Sequence, residues 1–257
     1  MEGLGRAGSW VLGTLMNTLA TGPGTRERES TLPGAPSGRR SPARLLITAG
    51  PTHEPIDAVR YLANRSSGRL GIALAETAAG AGWPVRLLLG PTPRECTDSR
   101  VEVHRFRTTA DLEALLRDHL PWCDALIMAA AVADYRPVTG AGSQTKLRRT
   151  GESMTLTLES TPDLLAGCAA RRRTDQLLVG FALEPRAELE RSARSKLERK
   201  RVDMIVGNPL ETMDSPSIEA TIYLRTGATM STPGPIEKQA FAGWLLERIA
   251  AHIPQRG

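Results

Sequence analysis

The chain has 257 residues, of which 40% are hydrophobic and 24% charged, and its formal net charge is +5. This balance is typical of a globular protein and excludes collagen, a coiled coil, a fully disordered chain and a small disulfide-stabilised scaffold. The 33 basic residues are dispersed among 28 acidic ones, and there are only four Trp, three Tyr and three Phe residues to stack on bases. The composition therefore does not favour a nucleic-acid-binding surface.

The cysteines and histidines lack the spacing of a disulfide framework or a metal site. They are scattered through the chain as Cys96, Cys123 and Cys168 and as His53, His104, His119 and His252. We therefore expect a reducing, cytoplasmic location and no metal ion held by protein side chains.

The first 43 residues differ in composition from the rest. The apolar stretch Trp10 to Ala20 is too short to span a bilayer, and residues 21–43 are rich in Gly and Pro. We expect residues 1–43 to be a disordered or weakly ordered extension, residues 44–257 to form one folded domain, and the chain not to associate with membranes.

From Arg44 onwards, short apolar runs alternate with amphipathic stretches. The predicted strands are Leu45–Ala49, Val85–Leu89, Val101–Phe106, Ala125–Ala130, Leu177–Ala182 and Met204–Val206, and the predicted helices are Leu70–Ala81, Ala110–His119, Pro162–Ala170, Arg186–Arg201 and Pro235–Ile253. This alternation predicts an α/β fold with a doubly wound, mostly parallel, Rossmann-like sheet. Met154–Leu158 and Ile218–Leu224 alternate polar and apolar residues, so we expect them to be additional antiparallel or edge strands.

Ligands of open parallel sheets bind beyond the carboxyl ends of the strands, and several motifs are expected there. Gly50 follows the first strand in a turn that lets the backbone approach a ligand. In the next loop, Ser66 and Ser67 can cap the following helix, and Gly68 and Gly71 keep its first turn free of side chains. An ordinary capped helix would explain the serines, but a phosphate site also explains the polar residues that crowd this loop, which are Arg60, Asn64, Arg65 and Arg69.

Lysine is scarce in this chain, and its few positions are informative. Only four of the 33 basic residues are Lys, namely Lys146, Lys196, Lys200 and Lys238. Lys196 and Lys200 lie four apart beside the apolar stripe of a predicted helix, so both can reach one anionic ligand, although a solvated helix face is the usual meaning of such charges.

The fourth predicted strand ends in small residues followed by Asp134, which leaves room for a ligand and supplies a hydrogen-bond acceptor. A plain strand end with a turn Asp is the alternative. The following segment, Val138 to Arg149, is rich in Gly and polar residues and contains Lys146, so we expect it to be a mobile basic lid.

Taken together, these motifs resemble the phosphopantothenate–cysteine ligase family, whose enzymes act in coenzyme A synthesis. The resemblance covers about residues 44–252. It is carried by ITAGPTHEPIDAVRYLANRSSGRLG (47–71), AAAVADYRP (129–137), KLRR (146–149), TPDL (161–164), VGFALE (179–184) and ARSKLERKRVDMIVGN (193–208).

The resemblance implies a two-step ligation. The carboxylate of phosphopantothenate would attack the α-phosphate of a nucleoside triphosphate to give an acyl-nucleotide and pyrophosphate, and the amine of cysteine would then displace the nucleotide. The pattern is nearer to the bacterial, CTP-using branch than to the ATP-using one, with Mg²⁺ accompanying CTP. The expected substrates are phosphopantothenate, CTP and L-cysteine.

The resemblance also assigns roles to residues. Asn64, Arg60 and Lys146 would be catalytic, with Asn64 and Arg60 holding the acyl-nucleotide and Lys146 serving its conversion. Asn64, Ala130, Ala131 and Asp134 would bind substrate. The nucleotide would be bound by Gly50, Ser66, Gly68, Gly71, Asp134, Lys146, Thr161, Pro162, Asp163, Leu164, Phe181, Lys196, Lys200 and Asn208.

Three departures from the family pattern stand out. Lys146-Leu147-Arg148-Arg149 replaces Lys-Ile-Lys-Lys, Thr161 replaces an Asn, and His53 replaces an Arg. Many bacterial members carry a flavin-dependent decarboxylase domain ahead of this one, which 43 residues cannot form, so we expect no flavin here and decarboxylation by a separate chain. The resemblance further implies a homodimer, with segments 154–158 and 218–224 supplying the pairing edges.

Three other functions remain open on the residues alone. A nicotinamide-dependent oxidoreductase would require G-x-G-x-x-G after the first strand and an acidic residue at the end of the next, and neither is present. A basic nucleotide- or nucleic-acid-binding module would bind without turnover. An inactive ligase-like protein is disfavoured by the presence of Asn64, Asp134 and Lys146.

Overall fold

The computed structural model describes residues 42–138, 145–148, 151, 153–212 and 215–254. The predicted extension therefore lies outside the described residues except for its last two positions. Of the predicted lid, only Val138 and residues 145–148 are described. Within the described ranges, no helix is long and apolar enough to cross a membrane.

The main sheet has eight strands in the order β13-β12-β10-β9-β6-β1-β4-β5. Six of them, from β10 to β5 in this order, are parallel, and β12 and β13 continue the sheet antiparallel at one edge. The strands are β1 (Leu45–Ala49), β4 (Val85–Leu89), β5 (Val101–Arg105), β6 (Ala125–Met128), β9 (Leu177–Glu184), β10 (Met204–Pro209), β12 (Thr221–Leu224) and β13 (Thr229–Ser231). This confirms the predicted α/β fold with its mostly parallel sheet and added antiparallel strands.

Helices cover both faces of the sheet. The five helices are α1 (Arg69–Gly80), α2 (Thr109–His119), α3 (Leu164–Arg171), α4 (Leu189–Lys200) and α5 (Lys238–His252). α1 and α5 pack in one apolar core, and α2, α3 and α4 pack in the other. In β1, Leu45, Ile47 and Ala49 face the first core and Leu46 faces the second, which explains why four of its five residues are apolar.

Three small two-stranded sheets complete the fold. They pair β2 (His53–Pro55) with β3 (Tyr61–Ala63), β7 (Tyr135–Pro137) with β8 (Leu158–Ser160), and β11 (Ser217–Ile218) with β14 (Ile236–Glu237). In the chain, β2 and β3 lie between β1 and α1, β7 and β8 lie between β6 and α3, β11 precedes β12, and β14 precedes α5. The patterns of residues in β2, β3 and β7 are too short to predict them.

The prediction of two additional edge strands, at 154–158 and 218–224, is only partly confirmed. Residues 153–157 are exposed and form no strand. The strand begins at Leu158, opposite Pro137, and beyond that pair one further hydrogen bond runs from the N–H of Val138 to the carbonyl of Thr157 at 2.9 Å. The segment Ile218–Leu224 is interrupted at Glu219 and Ala220, so Ile218 pairs in a separate sheet. The remainder, β12, lies second from the sheet edge, which β13 forms.

Three predicted helices begin two to three residues too early. α3 begins after Asp163, whose side chain accepts a hydrogen bond from the N–H of Ala166 at 3.1 Å and caps the helix. α4 begins after a turn in which the N–H of Glu188 bonds the carbonyl of Pro185 at 2.8 Å. α5 begins after β14, whose residues Ile236 and Glu237 pair with β11 instead of forming the expected first turn.

A histidine pair on the surface of the second core makes stability depend on pH. The rings of His104 and His119 have centroids 4.2 Å apart, and a guanidinium nitrogen of Arg86 lies 3.2 Å from Nδ1 of His119. Burial and then the positive charges of His104 and Arg86 lower the pKa of His119, against the opposing influence of Glu102 and Asp118. The folded state thus disfavours the protonated ring.

We expect this pair to destabilise the fold in acid. A lowered folded-state pKa leaves stability intact above the ordinary histidine pKa of about 6.5 and reduces it as the pH falls below that value. The thermal unfolding midpoint should therefore fall between pH 7.5 and 5.5, and His119→Gln should make that fall smaller. An equal fall in His119→Gln would assign the pH dependence to other groups.

Candidate functional site

A cleft of about 820 Å³ opens beyond the carboxyl ends of β6, β9 and β10, beside the start of α1. Four segments and a few single side chains line it. They are Asn64–Gly71, Met128–Asp134, Thr161–Leu165, the helix residues Lys196, Arg199 and Lys200, and the side chains of Phe181, Leu183, Asn208, Thr212, Ile218 and Lys238. Most of the residues that we predicted from the sequence to bind substrate and nucleotide therefore line this cleft.

The amino terminus of α1 faces the cleft without a side-chain cap. Gly68 is the capping residue, with a left-handed backbone at φ 69°, and no side chain accepts a hydrogen bond from the first turn. The expectation that Ser66 and Ser67 cap this helix is therefore wrong. The Ser66 hydroxyl instead accepts a hydrogen bond from the N–H of Gly68 at 3.4 Å, and the carbonyl of Ser67 accepts one from Thr92 at 2.8 Å. The first amides of α1 are thus available to an anion.

Two of the glycines predicted to bind the nucleotide, Gly50 and Gly71, also have a role in the fold itself. Gly50, at φ 80°, does not line the cleft; its carbonyl accepts a hydrogen bond from the N–H of Ala131 at 2.9 Å, so it supports the cleft wall from behind. Gly71 lines the cleft, but a Cβ there would lie 2.4 Å from the Cβ of Ala49. Close packing of α1 against β1 therefore requires this glycine.

We expect Gly71→Ala to destabilise the protein by about 2–3 kcal/mol, because the methyl group would overlap a buried residue of the central strand. Chemical denaturation measures the change. Gly80→Ala, at the other end of the same helix, is the matched control: its Cβ would meet only a guanidinium nitrogen of Arg100 at 3.8 Å, so it should be neutral or stabilise by up to about 1 kcal/mol. Wild-type stability of Gly71→Ala would contradict the packing.

The segment after β6 forms one wall of the cleft. The N–H of Ala130 donates to the Thr48 hydroxyl at 3.1 Å, and the side-chain amide of Asn64 donates to the carbonyl of Val132 at 2.9 Å. Ala130 and Ala131 keep this wall shallow, and the exposed side chain of Asp134 lies at its end. The structure thus brings all four predicted substrate-binding residues to one wall.

The two lysines of the opposite wall are each paired with a carboxylate: Lys200 with Asp163, which also lines the cleft, and Lys196 with Glu184, which lies behind the lining residues. Nζ of Lys200 lies 2.6 Å and 2.7 Å from the two carboxylate oxygens of Asp163, and Nζ of Lys196 lies 2.9 Å from Glu184. Burial alone would raise the pKa of Asp163, but the hydrogen bonds from Lys200 and from the N–H of Ala166 lower it. The hydrogen bond from Lys196 is the largest cause of the lowered pKa of Glu184. Both carboxyl groups are therefore ionised at neutral pH.

Arg60 and Lys146 do not line the cleft. The carboxylate of Asp57, whose side chain is fully buried, accepts hydrogen bonds from Nε of Arg60 at 3.0 Å and from the N–H of Leu147 at 3.1 Å. Arg60 in turn donates to the carbonyl of Leu147 at 3.1 Å. Asp57 and Arg60 thus hold both polar groups of the Leu147 main chain, and Lys146 is the exposed neighbour of that residue.

The contact between Arg60 and Asp57 also lowers the pKa of the Asp57 carboxyl group. The hydrogen bond from Arg60 is the largest of several that hold the pKa of Asp57 far below its usual range. Asp57 is ionised at any pH at which the protein would be assayed, so its contact with Arg60 does not depend on protonation.

Sequence analysis missed three polar residues of the cleft, which are Arg199, Thr212 and Lys238. The scarcity of lysine could have identified Lys238, because three of the four lysines of the chain line this one cleft. Its distance from the other motifs along the chain hid it. Asp57 was missed because a single Asp in a turn has no periodicity that marks it.

The arrangement suits a large anionic ligand. Uncapped helix amides and several cations surround the cleft, and among the described residues that line it the carboxylates are Asp134 and Asp163. Within the described residues there is no group of three or more His, Cys, Asp or Glu side chains that could hold a metal ion. A Mg²⁺ ion fits this donor set only when a phosphate ligand supplies most of its oxygens, which is its usual manner of binding beside nucleotides.

Curated relatives align with a large part of the chain. A protein named cysteine/cysteine sulfinic acid decarboxylase, from an unknown prokaryotic organism, is 44% identical over 65% of this chain and 46% of its own length. The coenzyme A biosynthesis bifunctional protein CoaBC of Vibrio cholerae is 40% identical over 64% of this chain and 41% of its own. That of Escherichia coli K12 is 36% identical over 79% and 50%. The chain thus spans about half the length of the curated relatives it matches.

Solved structures agree with the fold. The crystal structure of the C-terminal domain of CoaBC superposes with a TM-score of 0.68 at 33% identity and covers 81% of this chain and 94% of that domain. The DNA/pantothenate metabolism flavoprotein of Streptococcus pneumoniae gives a TM-score of 0.71 at 26% identity, covering 82% and 99%. A Cab2 mutant in complex with phosphopantothenate-cysteine shares the fold, with a TM-score of 0.66 at 18% identity, covering 81% and 87%.

A family model spans the whole described fold. It matches residues 41–253, which begin just before β1 and end just after α5. The chain therefore belongs to the family of the DNA/pantothenate metabolism flavoprotein C-terminal domain.

Proposed function

We propose that this chain joins phosphopantothenate to L-cysteine in coenzyme A biosynthesis, through an acyl-cytidylate intermediate. The single observation that carries the proposal is the cleft, which combines an uncapped helix terminus, a lysine-bearing helix and a small-residue wall in a member of this family. The names of the CoaBC relatives and of the CoaBC C-terminal domain structure support the pathway.

In the first step, a carboxylate oxygen of phosphopantothenate attacks the α-phosphorus of CTP, and the bond to pyrophosphate breaks. Two polyanions must approach each other, so cations and helix amides that surround them lower the repulsion. We assign the triphosphate to the amides of Gly68–Gly71 and to Lys196 and Lys200. Mg²⁺ bound with CTP would neutralise further phosphate charge.

In the second step, the cysteine amine attacks the acyl carbon, CMP leaves, and the amine loses a proton to form the amide. Asn64 and the wall of Ala130, Ala131 and Asp134 would hold the acyl-nucleotide. Lys146 would serve its conversion, with Arg60 acting through its hydrogen bond to Leu147. The remaining nucleotide contacts would come from Ser66, Phe181, Asn208 and the Thr161–Leu164 turn, which all line the cleft.

The test is pyrophosphate release by the purified chain with phosphopantothenate and Mg²⁺, comparing CTP with ATP, with and without cysteine. CTP-dependent release, with amide formed only when cysteine is added, is the expected result. Absence of release with either nucleotide would overturn the proposal. Carbon dioxide release from cysteine, the reaction named for one relative, is measured in parallel as a competing outcome.

The location and boundaries follow from the same proposal. We assign the ligase domain to residues 44–257 and place residues 1–43 outside it. The thiols of Cys96, Cys123 and Cys168 are free, which suits a reducing cytoplasm.

We also propose a homodimer formed through the β2–β3 and β7–β8 hairpins. Large apolar side chains are exposed there, including Val59 at 61%, Tyr135 at 58% and Val138 at 52%. Exposed apolar surface of this kind marks association surfaces. Pairing through residues near β8 would agree with the expectation for segment 154–158, whereas β12, the main part of segment 218–224, lies between β10 and β13 and has no free edge.

A charge in this surface should separate the subunits. We expect Leu158→Glu to shift the mass measured by light scattering from dimer to monomer, because it places a charge in an apolar contact. Leu210→Glu is the control, since both leucines are 44% exposed and Leu210 lies outside the hairpins. A monomeric wild-type protein, or an unchanged mass for Leu158→Glu, would contradict this interface.

A further inference from the structure

A row of buried polar side chains lies behind the wall that carries Asp134. Thr52, Glu54 and Thr109 are 0%, 3% and 0% exposed, and they connect the start of α2 to the segment after β6. None of them lines the cleft. Buried polar groups cost stability unless they are hydrogen-bonded, so such a row requires an explanation.

Hydrogen bonds connect the three side chains and continue to the segment after β6. The carboxylate of Glu54 accepts hydrogen bonds from the N–H of Thr109 at 2.8 Å and from the Thr109 hydroxyl at 2.7 Å. The same hydroxyl also donates, at the longer distance of 3.4 Å, to the hydroxyl oxygen of Thr52. The Thr52 oxygen accepts a further hydrogen bond from the N–H of Ala133 at 3.0 Å.

The far end of this row fixes the wall of the cleft. The carbonyl of Ala133 accepts a hydrogen bond from the Thr161 hydroxyl at 2.5 Å, and the carbonyl of Asp134 accepts one from the N–H of Thr161 at 2.9 Å. Both polar groups of the Ala133 main chain are therefore held by threonine hydroxyls. Asp134, the next residue, lines the cleft, and its position depends on these contacts.

We propose that Thr52 is a positioning residue that, through the hydrogen-bonded row Glu54–Thr109–Thr52, fixes the main chain of Ala133 and so sets the position of Asp134 against the nucleotide. This inference rests on the proposed function only in identifying the ligand of the cleft as a nucleotide. Because the Thr52 oxygen is itself held by the buried Thr109 hydroxyl, the acceptor of the Ala133 N–H has a fixed position within a connected hydrogen-bond network.

Removal of the Thr52 hydroxyl tests the proposal. Thr52→Val keeps the shape of the side chain but leaves the N–H of Ala133 without its acceptor in a buried place. We expect the Kd for Mg·CTP, measured by calorimetry, and the KM for CTP to rise about tenfold, with little change in the KM for cysteine. Thr52→Ser should restore both values, and exchange of the Ala133 amide with deuterium should be faster in Thr52→Val only.

A matched control exists elsewhere in the chain. Thr232 is 8% exposed, and its hydroxyl accepts a hydrogen bond from the N–H of Ala220 at 3.2 Å, so Thr232→Val makes the same chemical change outside the cleft. It should leave the Kd for CTP unchanged. If Thr52→Val does not fold, Thr109→Val interrupts the same row at its middle and should give the same changes with a smaller amplitude.

The outcomes separate this inference from the proposed function. Wild-type protein that binds Mg·CTP but forms no amide would overturn the ligase proposal and leave the Kd of Thr52→Val as the test. Wild-type Kd and wild-type exchange of Ala133 in Thr52→Val would overturn the positioning role. A wild-type protein that binds neither CTP nor ATP would overturn both.

Discussion

In Lys146→Gln, we expect the reaction to stop at the acyl-nucleotide. Lys146 is exposed and adjacent to Leu147, whose main chain is hydrogen-bonded to Asp57 and Arg60 in the turn between β2 and β3. A cation positioned there would stabilise charge that develops as the nucleotide leaves. Removal of one such group typically costs about 10²–10³-fold in rate.

The measurement is a single-turnover reaction with phosphopantothenate, CTP and cysteine, quenched and analysed for acyl-cytidylate and amide. Accumulated acyl-cytidylate with amide formation slowed by about 10²–10³-fold is the expected result. Arg148→Gln is the control, because it removes the same charge from the same exposed segment two residues away. Full amide yield in Lys146→Gln would remove Lys146 from the catalytic residues.

The second large effect is expected when both helix lysines are removed. In the double variant Lys196→Ala/Lys200→Ala, the KM for CTP should rise by about 100-fold. Each hydrogen bond to a charged group contributes about 1.5–3 kcal/mol. The net effect is smaller than the sum of two such bonds, because CTP must first displace Glu184 and Asp163 from the lysines. The KM for cysteine should change little.

The double variant Arg191→Ala/Arg194→Ala is the matched control. It removes two charges from the same helix, but from side chains paired with Glu188 and Glu190 on the outer surface. Its KM for CTP should stay within about twofold of wild type, as exposed ion pairs contribute little. An unchanged KM in the lysine variant would show that the triphosphate binds elsewhere.

The central strands of the main sheet could be predicted from the sequence because they are buried on both faces. The apolar runs Leu45–Ala49 and Val85–Leu89 predict β1 and β4 at their observed bounds. The small hairpins could not be predicted in this way. β2, β3 and β7 have three residues each, and their pairing depends on contacts with distant segments rather than on a local period.

The site could be predicted in its chemistry more than in its geometry. The rarity of lysine directed attention to Lys196 and Lys200, and both residues line the cleft. The crowding of Arg60 and Asn64 in one loop gave no indication that Arg60 turns away towards Leu147 while Asn64 faces the cleft. Which side of a loop an arginine occupies depends on its acceptors, here Asp57 and a carbonyl 87 residues away.

The pairs Lys196–Glu184 and Lys200–Asp163 also affect which ligands can bind, because a ligand must displace a carboxylate to reach either ammonium group. Lys200 is 18% exposed and its partner Asp163 is 38% exposed, so a ligand that takes the ammonium group leaves a carboxylate that water can still solvate. A singly charged anion gains too little from this exchange to displace Asp163 or Glu184. A ligand that carries several negative charges can replace both carboxylates at once, so the unliganded cleft resists occupation by chloride and other small monovalent anions of the solvent.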